Sequence, residues 1–164
     1  FIEEGIMETH HYDCLIHHMI HHKEYIQGPV VDLKLIDFYT ENLTDHIPYY
    51  WYEILLGNIP IGKISLRLGY NETSLANGHV GYEINPEYQG HNYSYYALEM
   101  IKQLAMDHGF RYLLVSTTAD NMQSQRTIGK SGGKLVVLEY EVPKDHIFYV
   151  LGKNKMNIYE IKLG

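Results

Sequence analysis

The sequence predicts an α/β fold in which a mixed, mostly antiparallel central sheet is flanked by helices. Two neighbouring runs rich in aromatic and β-branched residues, 49–56 and 59–68, are separated by Gly57-Asn58 and predict an antiparallel hairpin. Between residues 79 and 118, a strand, an amphipathic helix and a second strand follow one another. This order predicts one right-handed crossover between two parallel strands.

Composition indicates a single domain, 1–164, with a helical N-terminal part, 1–48, and a part, 49–164, that holds the sheet and the C-terminal strands. The chain is 45% hydrophobic and 20% charged, the balance of an ordinary globular protein. Cys14 is the single cysteine, which excludes an internal disulfide framework and favours a cytoplasmic location. Because no apolar run approaches the length of a membrane span, we expect no membrane association.

The net charge of −7 argues against a nucleic-acid partner, because a phosphate backbone demands clustered lysine and arginine and the chain has only 13 of them. An acidic surface favours cationic small molecules or basic peptides as partners. The same charge is equally expected of a surface that simply keeps the protein soluble.

The N-terminal part is predicted to contain two helices. Residues 2–27 have a helical pattern, Pro29 ends this helix, and residues 30–42 form a second, short one. The hairpin follows, with a bulge expected at Gly62 in its second strand.

The predicted first helix is rich in histidine. The pairs His17/His21 and His18/His22 have the i, i+4 spacing that can chelate a divalent metal, so a histidine-rich metal protein is one interpretation. The alternative is a polar helix face with neutral histidines. Because no cysteine or carboxylate completes an obvious ligand set, we expect no metal site.

The crossover begins with a strand over 79–85, which Pro86 stops, and ends with a buried strand over 112–118. Gly109 caps the helix between them. One face of that helix is apolar and is expected to be buried: Ala97, Leu98, Ile101, Leu104, Ala105 and His108.

Three further elements follow the crossover. A short helix starts at Asp120 or Asn121 and stops at Gly132-Gly133. Strands are then predicted over 134–142 and 157–163. Alternation in the first of these strands places four side chains on one face: Val136, Leu138, Tyr140 and Val142.

The loop Gln89-Gly90-His91-Asn92-Tyr93-Ser94 joins the first strand of the crossover to its helix. A loop that opens a helix directly after a strand presents unpaired backbone N–H groups at the positive end of the helix dipole. These groups are the ingredients of a phosphate cradle, although most turns of this kind bind nothing.

The loop and the helix after residue 120 resemble the GNAT superfamily of N-acetyltransferases. The family loop is usually written Gln/Arg-x-x-Gly-x-Gly/Ala, and the later helix carries Asn, a small residue three positions on, and Lys-x-Gly. The matching positions here are Gln89, Asn92, Ser94, Asn121, Ser124, Lys130 and Gly132. The resemblance implies an acyl-CoA N-acyltransferase fold. It also implies transfer of an acetyl group from acetyl-CoA to a primary amine of a small molecule or peptide, by direct attack in a ternary complex.

The resemblance assigns the acetyl-CoA site. The pyrophosphate would be held by the loop, and the pantetheine arm would lie like an extra strand beside Ile84 and Asn85; the loop residues concerned are Gln89, Gly90, His91, Asn92, Tyr93 and Ser94. Asn121 would contact the pantetheine or serve only as a helix N-cap. Ser124 would bind a phosphate or be an ordinary first-turn residue. Arg126 and Lys130 are either solvated or reach the 3′-phosphate of the adenosine.

An amine acceptor arrives as an ammonium, so the reaction needs a base. Glu83, on the strand beside the cofactor, is the first candidate, and His79 and Glu72 follow it. Two of the three have a plain alternative: Glu83 as a solvent-facing strand carboxylate, and His79 as a strand residue satisfied by a nearby loop.

Three departures from the family pattern keep other functions open. Asn92 and Ser94 stand where glycine or another small residue is preferred, although both leave backbone donation feasible. Ile128 occupies the position of a tyrosine that protonates the leaving thiolate, so that proton would come from water or another side chain, such as one of the sixteen tyrosines. The departures favour, as an alternative, a catalytically weak or inert acyl-CoA-binding module. A homodimer could form through the aromatic strand after residue 48 or through the C-terminal strands.

Overall fold

Two antiparallel sheets, described by a computed structural model over residues 11–40 and 46–164, form the framework of the protein. The strands of the larger sheet lie side by side in chain order: β1 (Tyr25–Ile26), β2 (Asp32–Tyr39), β3 (Tyr49–Leu56), β4 (Ile59–Arg67) and β5 (Val80–Ile84). The smaller sheet has the order β6-β8-β7 and contains β6 (Tyr112–Thr117), β7 (Lys134–Glu141) and β8 (Lys155–Lys162).

Helices pack on and between these sheets. In the described chain they are α1 (Ser74–Asn77), α2 (Tyr93–Asp107), α3 (Met122–Lys130) and α4 (Ile147–Val150), with a 3₁₀ turn at Pro86–Tyr88. The predicted α/β class, with mostly antiparallel strands flanked by helices, is confirmed. None of the helices in the described ranges is long and apolar enough to span a membrane.

The predicted hairpin is confirmed as β3 and β4. Ile54 lies opposite Gly62, but the next residue, Leu55, lies opposite Pro60, so Ile61 is an extra residue in β4. This bulge falls beside Gly62, as expected. An added Cβ at Gly62 would lie 2.2 Å from the backbone oxygen of Glu83 in β5, so the glycine permits the close approach of the two strands.

The core lies between the larger sheet and α2. The apolar helix face predicted from the sequence is buried, and its residues are at most 2% exposed: Ala97, Leu98, Ile101, Leu104, Ala105 and His108. They pack with inward-facing residues of β3 and β4 such as Tyr52, Ile54 and Ile64. Gly109 follows the helix with a φ of 87°, the left-handed conformation of a C-terminal cap.

The prediction of two N-terminal helices is wrong for the described residues. Residues 12–24 are irregular, and the predicted second helix is the strand β2; residues 1–10 and 41–45 lie outside the described ranges. Tertiary partners replace helical hydrogen bonds in this segment. The N–H groups of Leu15 and Ile16 donate to the carbonyl of His108, and the N–H of Ile20 donates to the hydroxyl of Tyr50.

The predicted crossover exists as β5, α2 and β6, but its two strands belong to different sheets. They meet at one point, where the N–H of His79 donates to the carbonyl of Leu114 at 2.7 Å. A continuous central sheet is therefore not formed, and a gap remains between β5 and β6.

The face predicted for β7 is also wrong. Its pairing with β8 shifts between Leu135 and Val137 and again before Tyr140. These irregularities break the two-residue alternation, so Val136 and Leu138 are 45% and 65% exposed. The last strand, β8, matches its prediction within two residues.

Candidate active site

A chain of three cavities runs from the loop before α2, between β5 and α3, into the gap between β5 and β6. The gap opens away from the contact of His79 with Leu114, and α3, which follows β6, forms its far wall. Neighbouring cavities share residues. The first and the middle share Ile84, Gln89, Ser94 and Gln123. The middle and the third share Tyr82, Asn121 and Ser124, so the three form one groove.

The first cavity, of about 290 Å³, lies between the loop before α2 and the outer side of α3. Gly90 and Asn92 are left-handed, with φ of 87° and 65°. Within the described chain none of the N–H groups of residues 90–94 donates a hydrogen bond to protein. Arg126 and Lys130 line the same cavity from α3. Free N–H donors, a helix N-terminus and two cations suit a pyrophosphate.

The middle cavity, of about 170 Å³, follows the open edge of β5. The N–H of Asn85 donates to the carbonyl of Ile61 in β4 at 2.8 Å. Because backbone groups alternate between the two sides of a strand, the N–H groups of Tyr82 and Ile84 point into the gap. The side-chain amide of Gln89 donates to the carbonyl of Ile84 at 2.9 Å and so ties the loop to this edge.

The third cavity, of about 290 Å³, lies at the far end of the groove. Its walls come from β4, β5, β6, the start of α3 and the connection between β7 and β8. Arg67 and Lys153 line it, together with neutral polar side chains such as Asn77, Ser65 and Thr117. We call it the acceptor pocket, because it lies at the end of the groove opposite to the loop before α2.

Tyr82 stands at the junction of the middle cavity and the acceptor pocket, and the sequence analysis did not single it out. Its hydroxyl lies 2.8 Å from that of Ser124, across the gap between β5 and α3. Burial raises the pKa of Tyr82, while hydrogen bonds from Ser124 and Thr127 oppose this shift. Its position next to Glu83 was a signal in the sequence. Adjacent residues of a strand face opposite sides of the sheet, so Tyr82 and Glu83 point to different faces of β5.

The structure brings together most of the residues predicted to bind the cofactor. Asn121 is the N-cap of α3, because its side chain accepts from the N–H of Ser124 at 3.0 Å. The hydroxyl of Ser94 is 2.9 Å from that of Thr127, so this side chain joins α2 to α3 and leaves only its N–H for a ligand. His91 and Asn85 are exposed and do not line the three cavities.

The three predicted base candidates occupy different settings. Glu83 is exposed; it lines the middle cavity and also a fourth cavity, of about 230 Å³, that contains Trp51 and Lys63. Glu72 is exposed and lines none of these cavities. His79 is 0% exposed and lines none of them either.

His79 is held as a neutral structural residue. Its Nδ1 accepts a hydrogen bond from the N–H of Leu114 at 2.9 Å, and its ring lies 4.9 Å from that of Phe110. Burial lowers the pKa of His79 to about 4, and the nearby backbone carbonyl groups of Tyr12 and Gly69 oppose this only in part. The geometry therefore favours a buried structural residue over a base. It does not bear out a fully satisfied side chain, because Nε2 is buried without a hydrogen-bond partner among the described residues.

A possible metal cluster in the described chain contains Asp13, Cys14 and His17, whose ligand atoms lie within 4.8 Å of one another. His17 Nε2 is already 2.9 Å from the carboxylate of Asp13. Burial and the nearby Asp13 carboxylate raise the pKa of Cys14 to about 12, which opposes the thiolate that a metal would need. The helical spacing predicted for His17/His21 and His18/His22 is lost, because these residues lie in irregular chain.

Comparison with known proteins identifies the family. The model of the acetyltransferase (GNAT) domain family matches residues 17–134, more than half of the chain. The protein therefore belongs to the GNAT acetyltransferase family. It is an acyltransferase. No curated protein sequence matches it.

Solved structures share the fold at low identity. An acetyltransferase from Salmonella typhimurium that modifies the N-terminal serine of a ribosomal protein is 13% identical, with a TM-score of 0.60 over 86% of this chain and 100% of that chain. RimL, a ribosomal α-N-protein acetyltransferase in complex with coenzyme A, is 16% identical, with a TM-score of 0.53 over 70% of this chain and 62% of that chain. The microcin C7 self-immunity acetyltransferase MccE, in complex with acetyl-CoA and AMP, has the same identity and TM-score over 70% and 61%.

Proposed function

We propose that the protein is an N-acetyltransferase that transfers the acetyl group of acetyl-CoA to a primary amine by direct attack in a ternary complex. The observation that carries this proposal is the continuous groove. It runs from the free N–H groups of residues 90–94, along the open edge of β5, to the acceptor pocket. One end suits a pyrophosphate, and the other has room for a small amine or the end of a peptide.

The residues of the groove have separate tasks in this proposal. The N–H groups of the loop, with Arg126 and Lys130, hold the phosphates. The N–H groups of Tyr82 and Ile84 are the donors that face the pantetheine and can stabilise charge on a thioester oxygen. The N–H of Asn85 cannot donate to the thioester oxygen, because it already donates a hydrogen bond to Ile61 of β4.

Acetyl-CoA supplies the thioester carbonyl and a thiolate leaving group. Glu83 is our proposed base and accepts a proton from the incoming ammonium, directly or through water. The amine nitrogen forms the new C–N bond, and the C–S bond to the thiolate breaks. Tyr82 is our proposed acid: its O–H proton passes to the thiolate, and the tyrosinate regains a proton, directly or through water, from the nitrogen, which loses its second proton as the amide forms. Ile128, which stands where relatives carry the acidic tyrosine, is 0% exposed in the core and cannot serve.

Thiol release from acetyl-CoA with a panel of primary amines tests the proposal. We expect release above hydrolysis with at least one amine, and calorimetric binding of coenzyme A. Arg126→Gln should weaken that binding about tenfold, by loss of one charge-assisted contact, while Arg111→Gln, at an exposed arginine outside the groove, should not change it. Binding without turnover of any amine would instead favour the inert acyl-CoA-binding module, and no binding would reject both.

We also propose a cytoplasmic location, supported by the single cysteine, Cys14, which is free and buried. A homodimer stays a prediction.

A further inference from the structure

We propose that the acceptor is a primary amine with an extended tail, which crosses Gly81 and places an aromatic group against Trp51 in the fourth cavity. This inference rests on the proposed function, because it names the substrate class of the same site. It makes Gly81 and Trp51 residues that determine specificity.

The fourth cavity continues the groove. Its volume is about 230 Å³, and it shares Ser65, Gly81 and Tyr82 with the acceptor pocket. It also shares Tyr82 and Glu83 with the middle cavity. The proposed acid and base therefore border the place where these three cavities meet. An amine that reacts there has the fourth cavity open to the rest of its molecule.

Strand pairing sets the shape of the fourth cavity. Trp51 of β3 lies opposite Ser65 of β4, and Ser65 lies opposite Gly81 of β5. Directly opposite residues share one face of a sheet. Side-chain size falls along this row from an indole to a hydroxymethyl group to a single hydrogen, so the row forms a channel that leads from β5 to Trp51. In the next row Lys63 lies opposite Glu83, and both line the cavity as a wall of this channel.

Neither the backbone nor the packing of the described chain requires a glycine at position 81. Gly81 is not among the residues with positive φ. Among the described atoms, an added Cβ would contact only the hydroxyl of Ser65, at 3.4 Å, whereas at Gly62 it would lie 2.2 Å from a backbone oxygen. A glycine within a strand weakens the strand and often marks the close approach of a ligand. A larger side chain at Gly81 would fill the passage between the acceptor pocket and the fourth cavity.

Trp51 gives the end of the channel an aromatic surface. Its indole is half-buried and lines the cavity. The Lys63 ammonium lies 5.1 Å from the centre of the indole, and the ring of Tyr39 lies 6.1 Å from it. These neighbours hold the indole in place. A second aromatic ring gains from stacked or edge contacts with such a surface in addition to the area that it buries.

The width of the sheet sets the length of the tail. Neighbouring strands lie about 4.8 Å apart, so β3 is about 10 Å from β5. The aromatic group therefore lies about 10 Å from the reacting nitrogen, which corresponds to about three extended peptide residues or a short amide-linked chain.

Two pairs of amines test the inference. N-benzyl-β-alaninamide and N-methyl-β-alaninamide differ only in a phenyl ring, and so do the tripeptide amides glycylglycylphenylalaninamide and glycylglycylalaninamide. We expect the ring-bearing member of at least one pair to exceed its partner about tenfold in kcat/KM, because part of the ring is buried. The pair with the larger ratio distinguishes a small-molecule acceptor from a peptide. Ratios near one in both pairs would overturn the inference.

Substitutions make the test specific to the fourth cavity. Gly81→Val should block the passage, and Trp51→Ala should remove the aromatic contact, so both should bring the ratio close to one. Valine suits a strand, so Gly81→Val should fold. Tyr25→Ala removes an exposed aromatic ring of the same sheet outside the cavity and should keep the ratio. If the ratio persists in folded Gly81→Val and folded Trp51→Ala, the tail does not lie in this cavity and the inference fails.

Fluorescence of the wild type separates the inference from the proposed function. Trp51 is the only tryptophan of the chain, so its emission reports the binding of the tail without turnover. With the protein saturated with coenzyme A, ring-bearing amines should change this emission saturably and their partners much less. If no amine is acetylated but the emission responds in this way, the function fails and the inference stands. If amines are acetylated with ratios near one and the emission is constant, the function stands and the inference fails. Absence of both turnover and response overturns both.

Discussion

Tyr82 both lines the groove and contributes to its structure. The side chain lines the middle cavity and the acceptor pocket, and its hydroxyl is hydrogen-bonded to Ser124 of α3. Because burial raises the pKa of Tyr82, the phenol carries a proton before the reaction, and this proton is available to the leaving thiolate. Position and protonation state together favour this tyrosine as the replacement for the one that Ile128 displaces.

Tyr82→Phe should lower kcat about 100-fold, the lower end of what a positioned acid contributes, with little change in KM for acetyl-CoA. The ring stays, so the fold should lose only about 1 kcal/mol for the hydrogen bond. Initial rates across pH are the measurement.

Ser124→Ala provides the control for this variant, because it breaks the same hydrogen bond and leaves the phenol. Its kcat should fall much less than that of Tyr82→Phe. Equal losses in the two variants would show that the bond between β5 and α3 matters and that the phenol is not the acid.

Glu83→Gln should reduce turnover most at low pH, where the acceptor is most fully protonated and depends most on a base. Affinity for coenzyme A should hardly change. Glu53 is the matched control, since Lys63 lies directly opposite Glu53 in β3 and Glu83 in β5, which places both carboxylates on one face of the sheet. Identical pH–rate profiles for wild type and Glu83→Gln would show that Glu83 is not the base.

Residues of the site differ in how far sequence could predict them. The loop 89–94 and the N-cap Asn121 depend on short-range geometry, and the chain carries their pattern locally. Lys153 and Arg67 are 86 positions apart and line the same pocket only because β4 and the β7–β8 connection flank the same gap. Neither has a local signature, so only the tertiary structure shows that they share a pocket.

At the scale of elements, hairpins and amphipathic helices were predictable and the N-terminal segment was not. β3, β4 and α2 have strong periodic patterns and short connections. Residues 12–24 resemble a helix in composition, but distant groups satisfy their backbone: the Tyr52 hydroxyl donates to the carbonyl of Lys23, and His108 Nδ1 lies 2.8 Å from that of Ile16. Such partners override a weak local preference.

The contact of β4 with β5 positions the open edge of β5, where we propose that acetyl-CoA binds, and Gly62→Ala tests this role. The new Cβ would lie 2.2 Å from the Glu83 oxygen, so β5 must move. We expect a loss of about 1–3 kcal/mol in the free energy of unfolding, measured with urea, and weaker coenzyme A binding where the variant is folded.

Gly57→Ala is the matched glycine substitution in the same hairpin. It has open space for a Cβ but a φ of 62°, so it should cost about 1 kcal/mol by backbone strain alone and leave coenzyme A affinity unchanged. If folded Gly62→Ala binds coenzyme A with the affinity of the wild type, the position of β5 does not determine this binding.

At the scale of the whole molecule, the two sheets meet at His79. This residue joins the start of β5 to β6 through bonds to Leu114 in both directions, and the gap that forms the site opens from this point. The same residue was a candidate base in the sequence, because a histidine beside a predicted cofactor strand has no local mark that distinguishes a catalytic from a buried one. Burial, which only the assembled fold defines, makes the distinction.

A buried neutral histidine at this junction predicts a stability that depends on pH. The pKa of His79 is lowered from its ordinary 6.5 to about 4 on folding, chiefly by burial, so the unfolded chain binds the proton more tightly. The stabilising contribution of neutral His79 is present above pH 6.5 and is lost as the pH falls towards 4. This loss lowers the free energy of unfolding by about 3 kcal/mol. Urea denaturation at several pH values should show this loss in the wild type.

His79→Gln isolates the contribution of this residue, because glutamine offers an acceptor for the Leu114 N–H but does not titrate. The variant should be less stable at neutral pH and lose less stability on acidification. Burial also lowers the pKa of His108, so part of the acid sensitivity should persist. His91→Gln, at an exposed histidine, should follow the wild type. If His79→Gln loses as much stability as the wild type between pH 6.5 and 4, protonation of His79 is not what limits stability in acid.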